Sequence, residues 1–201
     1  MRGGDVAALL AICNGLSRLN AAVLTLGRWL GAAFLGVMVI AILVQVFFRY
    51  VLDNALPWPE ELARFLMLWA TGLMIGTAYR RGGFVSIDML SRLLPRGIAA
   101  LLGLILTGVA MVVLLKAAAI GWAEVTGFGG RAEMDTLRVP VSLGFDVWMK
   151  LPKSTMMASL LVGIWLLIAV NLELLLRQIL SLAGRGDALL PIADAVSLGA
   201  E

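Results

Sequence analysis

Four stretches of the chain lack any charged side chain, and each is closed by charge at both ends. They are Trp29–Phe48 between Arg28 and Arg49, Phe65–Tyr79 between Arg64 and Arg80, Gly97–Leu115 between Arg96 and Lys116, and Ser154–Leu172 between Lys153 and Glu173. A hydrocarbon core about 30 Å thick needs roughly 20 apolar helical residues at about 1.5 Å each. Only helices or closed barrels satisfy the backbone in lipid, and runs of this length without alternation are helical. The chain is therefore expected to be an all-α integral membrane protein, with four transmembrane helices and short interfacial amphipathic helices. Composition agrees: 61% of residues are apolar and 14% charged, against roughly 45–50% and about 25% in soluble domains.

The second run is short until its start is moved back to Pro59. Proline suits the first helical turn, and Glu60 and Glu61 then sit at the positive end of the helix dipole. Glu60 and Arg64 are four apart in the favourable order, acid before base. The expected spans are 29–48, 59–79, 97–116 and 154–173, in a single membrane domain. All six prolines lie outside the four apolar runs, so the spans should be unbroken. Residues 1–28 form an amphipathic segment. Leu9, Ile12, Cys13, Leu16, Leu19 and Val23 share one face, Asn14, Ser17 and Arg18 the other, which suits the membrane interface. Asp5 and the lack of a clean A-x-A site argue against a secretory signal. A second interfacial helix is expected over 83–95, with Asp88 and Arg92 paired at i,i+4. Residues 117–152 read as a long extracytoplasmic connection with a flexible Gly-rich turn at Thr126-Gly-Phe-Gly-Gly130, and 184–201 as a tail.

Several functions are excluded by what is missing. The chain has no histidine and one cysteine, Cys13, so it offers no catalytic triad, no cofactor-binding residue and no metal cluster. No basic run suggests nucleic acid. The paired glutamates resemble the Glu-Glu-x-x-x-Arg pattern of CAAX-type membrane proteases, but the spacing is one short and those enzymes need histidines. No catalytic residue is expected. The spans carry only Gln45, Thr71, Thr77, Thr107 and Asn171 as polar side chains worth note, with no midplane acid of the kind that marks an ion path. Gly72 and Gly76, at G-x-x-x-G spacing, predict close helix packing, as do Gly27 and Gly31.

Charge concentrates in one connection, Arg49-Tyr-Val-Leu-Asp-Asn-Ala-Leu-Pro-Trp-Pro-Glu-Glu-Leu-Ala-Arg64. Phe47-Phe-Arg-Tyr50, Trp58-x-Glu-Glu-Leu-Ala-Arg64, Tyr79-Arg-Arg-Gly-Gly83 and Val85-x-Ile-Asp-Met-Leu90 together resemble the small membrane subunit, DctQ type, of tripartite ATP-independent periplasmic (TRAP) transporters. The match is dense from Val44 to Pro95. It departs from the family pattern at Phe84, where a histidine is frequent, and at Asp146–Lys153.

The resemblance implies four membrane helices with both termini cytoplasmic in a bacterial inner membrane. Counting Arg and Lys by side gives nine inside and seven outside for that orientation, and Arg80-Arg81 is the strongest local vote. The resemblance also implies partners: a large membrane subunit carrying the sodium and substrate sites, and a periplasmic substrate-binding protein that delivers an organic acid. The small subunit would brace the large one. Arg49, Trp58, Glu60, Glu61, Arg64, Arg80, Gly83 and Asp88 are the family-matched positions, expected to organise the interfacial turn and the subunit interface. A membrane anchor for another complex and a self-associating small pore are the alternatives.

Overall fold

In the computed structural model, residues 3–82, 96–140, 148–182, 189, 190 and 192 are described. Four long helices dominate: α1 (Gly3–Tyr50), α2 (Trp58–Arg80), α3 (Arg96–Thr126) and α5 (Ser154–Leu182). Between the last two lie a single turn, α4 (Phe128–Arg131), and an antiparallel hairpin of β1 (Glu133–Pro140) and β2 (Trp148–Pro152). All four long helices are apolar and long enough to cross a membrane. The protein is an all-α membrane protein carrying one small hairpin.

Its interior has the polarity expected in lipid. Ser17, Asn20, Thr107, Ser159, Asn171 and Glu173 are buried, while Ile40, Leu43, Val113 and Trp165 are exposed. In water that arrangement would forfeit most of the hydrophobic driving force. In lipid the apolar exterior costs nothing, and helices associate through close packing and interhelical hydrogen bonds instead.

The expected boundary at residue 28 falls inside a continuous element: α1 runs unbroken for 48 residues, about 72 Å at the helical rise. No proline or helix-breaking pair interrupts it, so the N-terminal segment and the first apolar run share one helix. The expected face is also rotated: Cys13 and Ser17 are buried, with Asn20, Leu24, Gly27, Gly31 and Ala41, while Ile12, Leu19 and Val23 are exposed. The buried set steps by four and three residues from Cys13 to Gly31, a 3.5-residue seam of small and polar side chains. Ranking a face by apolarity inverts the answer where lipid is the solvent.

The described residues of the connection 117–152 are largely regular. α3 continues through it to Thr126, and the hairpin fills most of the remainder. The Gly-rich stretch is a tight break. A Cβ on Gly130 would lie 2.4 Å from the Val125 carbonyl oxygen, and one on Gly127 would lie 2.6 Å from that of Ala123. The other helices extend past their expected limits, α5 to Leu182 and α2 by one residue at each end. The interfacial helix over 83–95 lies outside the described residues, as does most of the tail.

The chain divides into two compact units. The first draws its described residues from Met1–Leu26, Ile75–Lys116 and Trp165–Glu201, the second from Gly27–Met74 and Ala117–Ile164. Each contains a part of all four long helices. In the second unit α2 and α5 approach almost backbone to backbone: a Cβ on Gly72 would meet the Ser159 carbonyl oxygen at 2.2 Å, and one on Gly163 would meet that of Gly72 at 3.0 Å. Gly31 of α1 admits the Met74 side chain in the same unit. In the first unit Gly76 lies against Leu24 and Leu166.

Candidate functional site

The first unit is organised around one carboxylate. Glu173, on α5, is fully buried and accepts hydrogen bonds from three side chains on three helices. Asn20 of α1 donates Nδ2 at 2.8 Å. Arg80, the last residue of α2, donates Nε at 3.0 Å and a terminal nitrogen at 2.8 Å, one to each oxygen. Arg177, one turn on in α5, donates Nε at 3.1 Å. The guanidinium fork suits this bidentate grip.

Two arginines against one glutamate leave an excess positive charge in a buried site. Backbone and hydroxyl oxygens absorb it. Arg80 also donates to the Ser17 carbonyl at 3.0 Å and to Ser17 Oγ at 2.9 Å. Arg177 reaches Ser17 Oγ at 2.9 Å and the Leu190 carbonyl at 2.8 Å. Asn20 shares its amide with the Ala169 carbonyl. Beside this cluster a neutral network continues: Tyr79 donates its hydroxyl to Asn171 Oδ1, Asn171 donates to the Thr107 carbonyl, and Thr107 donates to Gln178. All four long helices are thereby tied together by polar side chains. Salt bridges this deep are costly to desolvate and stand only when the remaining donors are satisfied.

The second unit has its own carboxylate anchor. Glu61, in the first turn of α2, accepts the backbone N–H groups of Asp135, Thr136 and Leu137 at 3.3, 2.7 and 2.9 Å, and the Thr136 hydroxyl. Met134 and Leu137 are buried around that anchor. Glu61 therefore clasps the hairpin to the start of α2. A cross-strand pair of Glu133 and Lys150 at 3.7 Å closes the hairpin's outer side.

The family-matched residues fall into distinct places. Glu61 makes the clasp. Glu60 and Arg64 pair with each other at 3.1 Å on an exposed face, as their spacing predicts. Arg49 lies in the last turn of α1 with its guanidinium 5.9 Å from the Tyr50 ring, and Trp58 opens α2, partly exposed. Asp53, at positive φ, turns the chain between them, and the Asn54 N–H closes on the Phe48 carbonyl. Arg80 belongs to the first unit. Gly83 and Asp88 lie outside the described residues.

Glu173, Arg177, Ser17 and Asn20 form a buried cluster that sequence reasoning does not bring together. Glu173 looks like the charge that closes a span. The one available signal is Glu173 and Arg177 at i,i+4 on a helix that stays apolar to Leu182, which asks why charge recurs inside it. Among the described residues no group of three or more acidic, Cys or His side chains is placed to hold a metal.

Comparison with curated proteins and with solved structures gives no significant match. A family model does match, over residues 38–181, described as the DctQ component of tripartite ATP-independent periplasmic transporters. This is a transporter component family and not an enzyme family, and the matched span takes in α2, the hairpin and nearly all of α5. With well over half its length so matched, the chain belongs to the DctQ family, as a multi-pass small membrane subunit of a TRAP transporter.

Proposed function

We propose that this subunit is a brace. It holds the stationary part of a large membrane subunit in a bacterial inner membrane while that subunit imports an organic acid with sodium, delivered by a periplasmic binding protein. The observation that carries this reading is the state of Glu173. An acid that carried an ion would need an open coordination position or a route to water. The Glu173 carboxylate is instead consumed by Asn20, Arg80 and Arg177. Its work is to fix helices, which is what a brace requires. The exposed apolar flanks of α1 and α3 leave broad surface for lipid and for a membrane partner. The charge balance of the connections favours both termini on the cytoplasmic side.

The test is purification of the tagged chain from its native membrane in mild detergent, followed by reconstitution. Recovery with one large, many-spanning partner at equal stoichiometry, and transport only when both are present, is expected. Replacing Glu61 or Arg64 with alanine should weaken that recovery without changing which acid is imported. Import by this chain alone, or an altered acid preference in the Arg64 variant, would overturn the reading.

A further inference from the structure

The hairpin holds a second property that its structural role does not require. Regular strands turn successive N–H groups to opposite sides, so consecutive amides cannot share one acceptor. β1 breaks this rule. From Glu133 to Arg138 it takes five residue steps while β2 takes two, from Pro152 to Lys150. The surplus of three residues is a bulge-like irregularity in the register, and such a shift re-aims the backbone. The three consecutive amides of Asp135, Thr136 and Leu137 lie inside it, and all three point at one carboxylate. The Thr136 hydroxyl completes the set. Successive amides converging on one point make an anion-binding nest.

We propose that the β1 bulge is a carboxylate-binding nest and that the Glu61 side chain is its resident, displaceable ligand. One oxygen takes the Asp135 N–H, and the other takes Thr136 and Leu137. The ligand class is a planar carboxylate, from a small free acid or an acidic side chain. The ladder resumes on both sides of the bulge, at Glu133↔Pro152 and Arg138↔Lys150, so the strand pairing itself shapes the nest and Glu61 only fills it. The hairpin is then fastened to α2 by a ligation that a second carboxylate can take over. This inference does not depend on the transport reading.

The experiment uses the full chain in lipid nanodiscs, with hydrogen exchange read at residues 135–137. In Glu61→Ala the three amides lose their charged acceptor, and exchange should rise roughly tenfold or more. Acetate should reverse that rise saturably, and acetamide at matched ionic strength should not. Thr136→Val in the same background should weaken the acetate effect, because the hydroxyl is one of the donors. N-acetylglutamate amide in a parallel arm separates the sources: rescue by it as well as by acetate admits side chains, and rescue by acetate alone restricts the nest to small acids. Undiminished protection in Glu61→Ala, acetate acting no better than acetamide, or a hairpin that acetate cannot restore would each overturn the proposal.

Discussion

Replacing Glu173 with glutamine keeps the size and planarity of the side chain and removes its charge. The consequence follows from what surrounds it. Arg80 and Arg177 are 9% and 13% exposed, and Glu173 is 0% exposed. Neither guanidinium can turn to water without leaving its helix contacts. Breaking a buried pair by removing one partner costs about 3–5 kcal/mol, because the surviving charge stays buried. At roughly 2–4 °C per kcal/mol for a chain of this size, the melting temperature should fall by roughly 6–20 °C. The six tryptophans make intrinsic fluorescence a direct readout in detergent or nanodiscs. Glu60→Gln is the internal control. It breaks an ion pair whose side chains are 70% and 63% exposed, a class worth about 0–1 kcal/mol. If the two variants melted together, or Glu173→Gln melted with the parent, the carboxylate would not be the keystone of the first unit.

Two further perturbations separate packing from charge. Gly72→Ala places a methyl group 2.2 Å from the Ser159 carbonyl oxygen, so α2 and α5 must part within the second unit, at a cost of about 1–3 kcal/mol. Gly36→Ala meets nothing within 4 Å and should raise stability by up to about 1 kcal/mol through helix propensity. Thermal melts of the pair check both signs. Replacing the three charged members of the cluster at once, Arg80→Met with Glu173→Leu and Arg177→Met, should be far milder than Glu173→Gln alone. A buried ionic group exchanged for apolar side chains is often neutral, and a melt as low as the single variant's would contradict that.

Local pattern makes part of this molecule legible and hides the rest for a physical reason. Charge-free length reveals the spans, because the bilayer imposes it on each helix separately. The i,i+4 rule reveals Glu60 with Arg64, and G-x-x-x-G spacing reveals Gly72 and Gly76, because both depend on one helix alone. The Glu173 cluster depends on three helices: its partners lie 93 and 153 residues away, at Arg80 and Asn20. No window along the chain contains them. The same holds for Glu61, whose first-turn position reads as a dipole effect while its carboxylate is committed to amides 74 to 76 residues distant. The face of α1 was hidden differently. An amphipathic rule built for water sends the apolar side inward, and here the small and polar side goes inward.

These two devices bear on what the subunit does while its transporter turns over. Helices in lipid gain little from hiding apolar surface, so their association rests on small-residue contacts and polar bonds. The first unit carries the Glu173 cluster, and the bracing role proposed above requires it to stay closed throughout the cycle. Cys13 reports on that directly. It is the only cysteine in the chain, it is fully buried in the first unit, and it lies one turn before Ser17 on the seam of α1. Labelling by a membrane-permeant maleimide then requires local opening of α1 from its neighbours. In the assembled complex the labelling rate should be equally slow at rest and during active import, and should rise in Glu173→Gln, where the seam has lost its anchor. Acceleration during turnover in the parent protein would mean that the first unit opens and closes with each cycle, and the subunit would be a moving part of the machine.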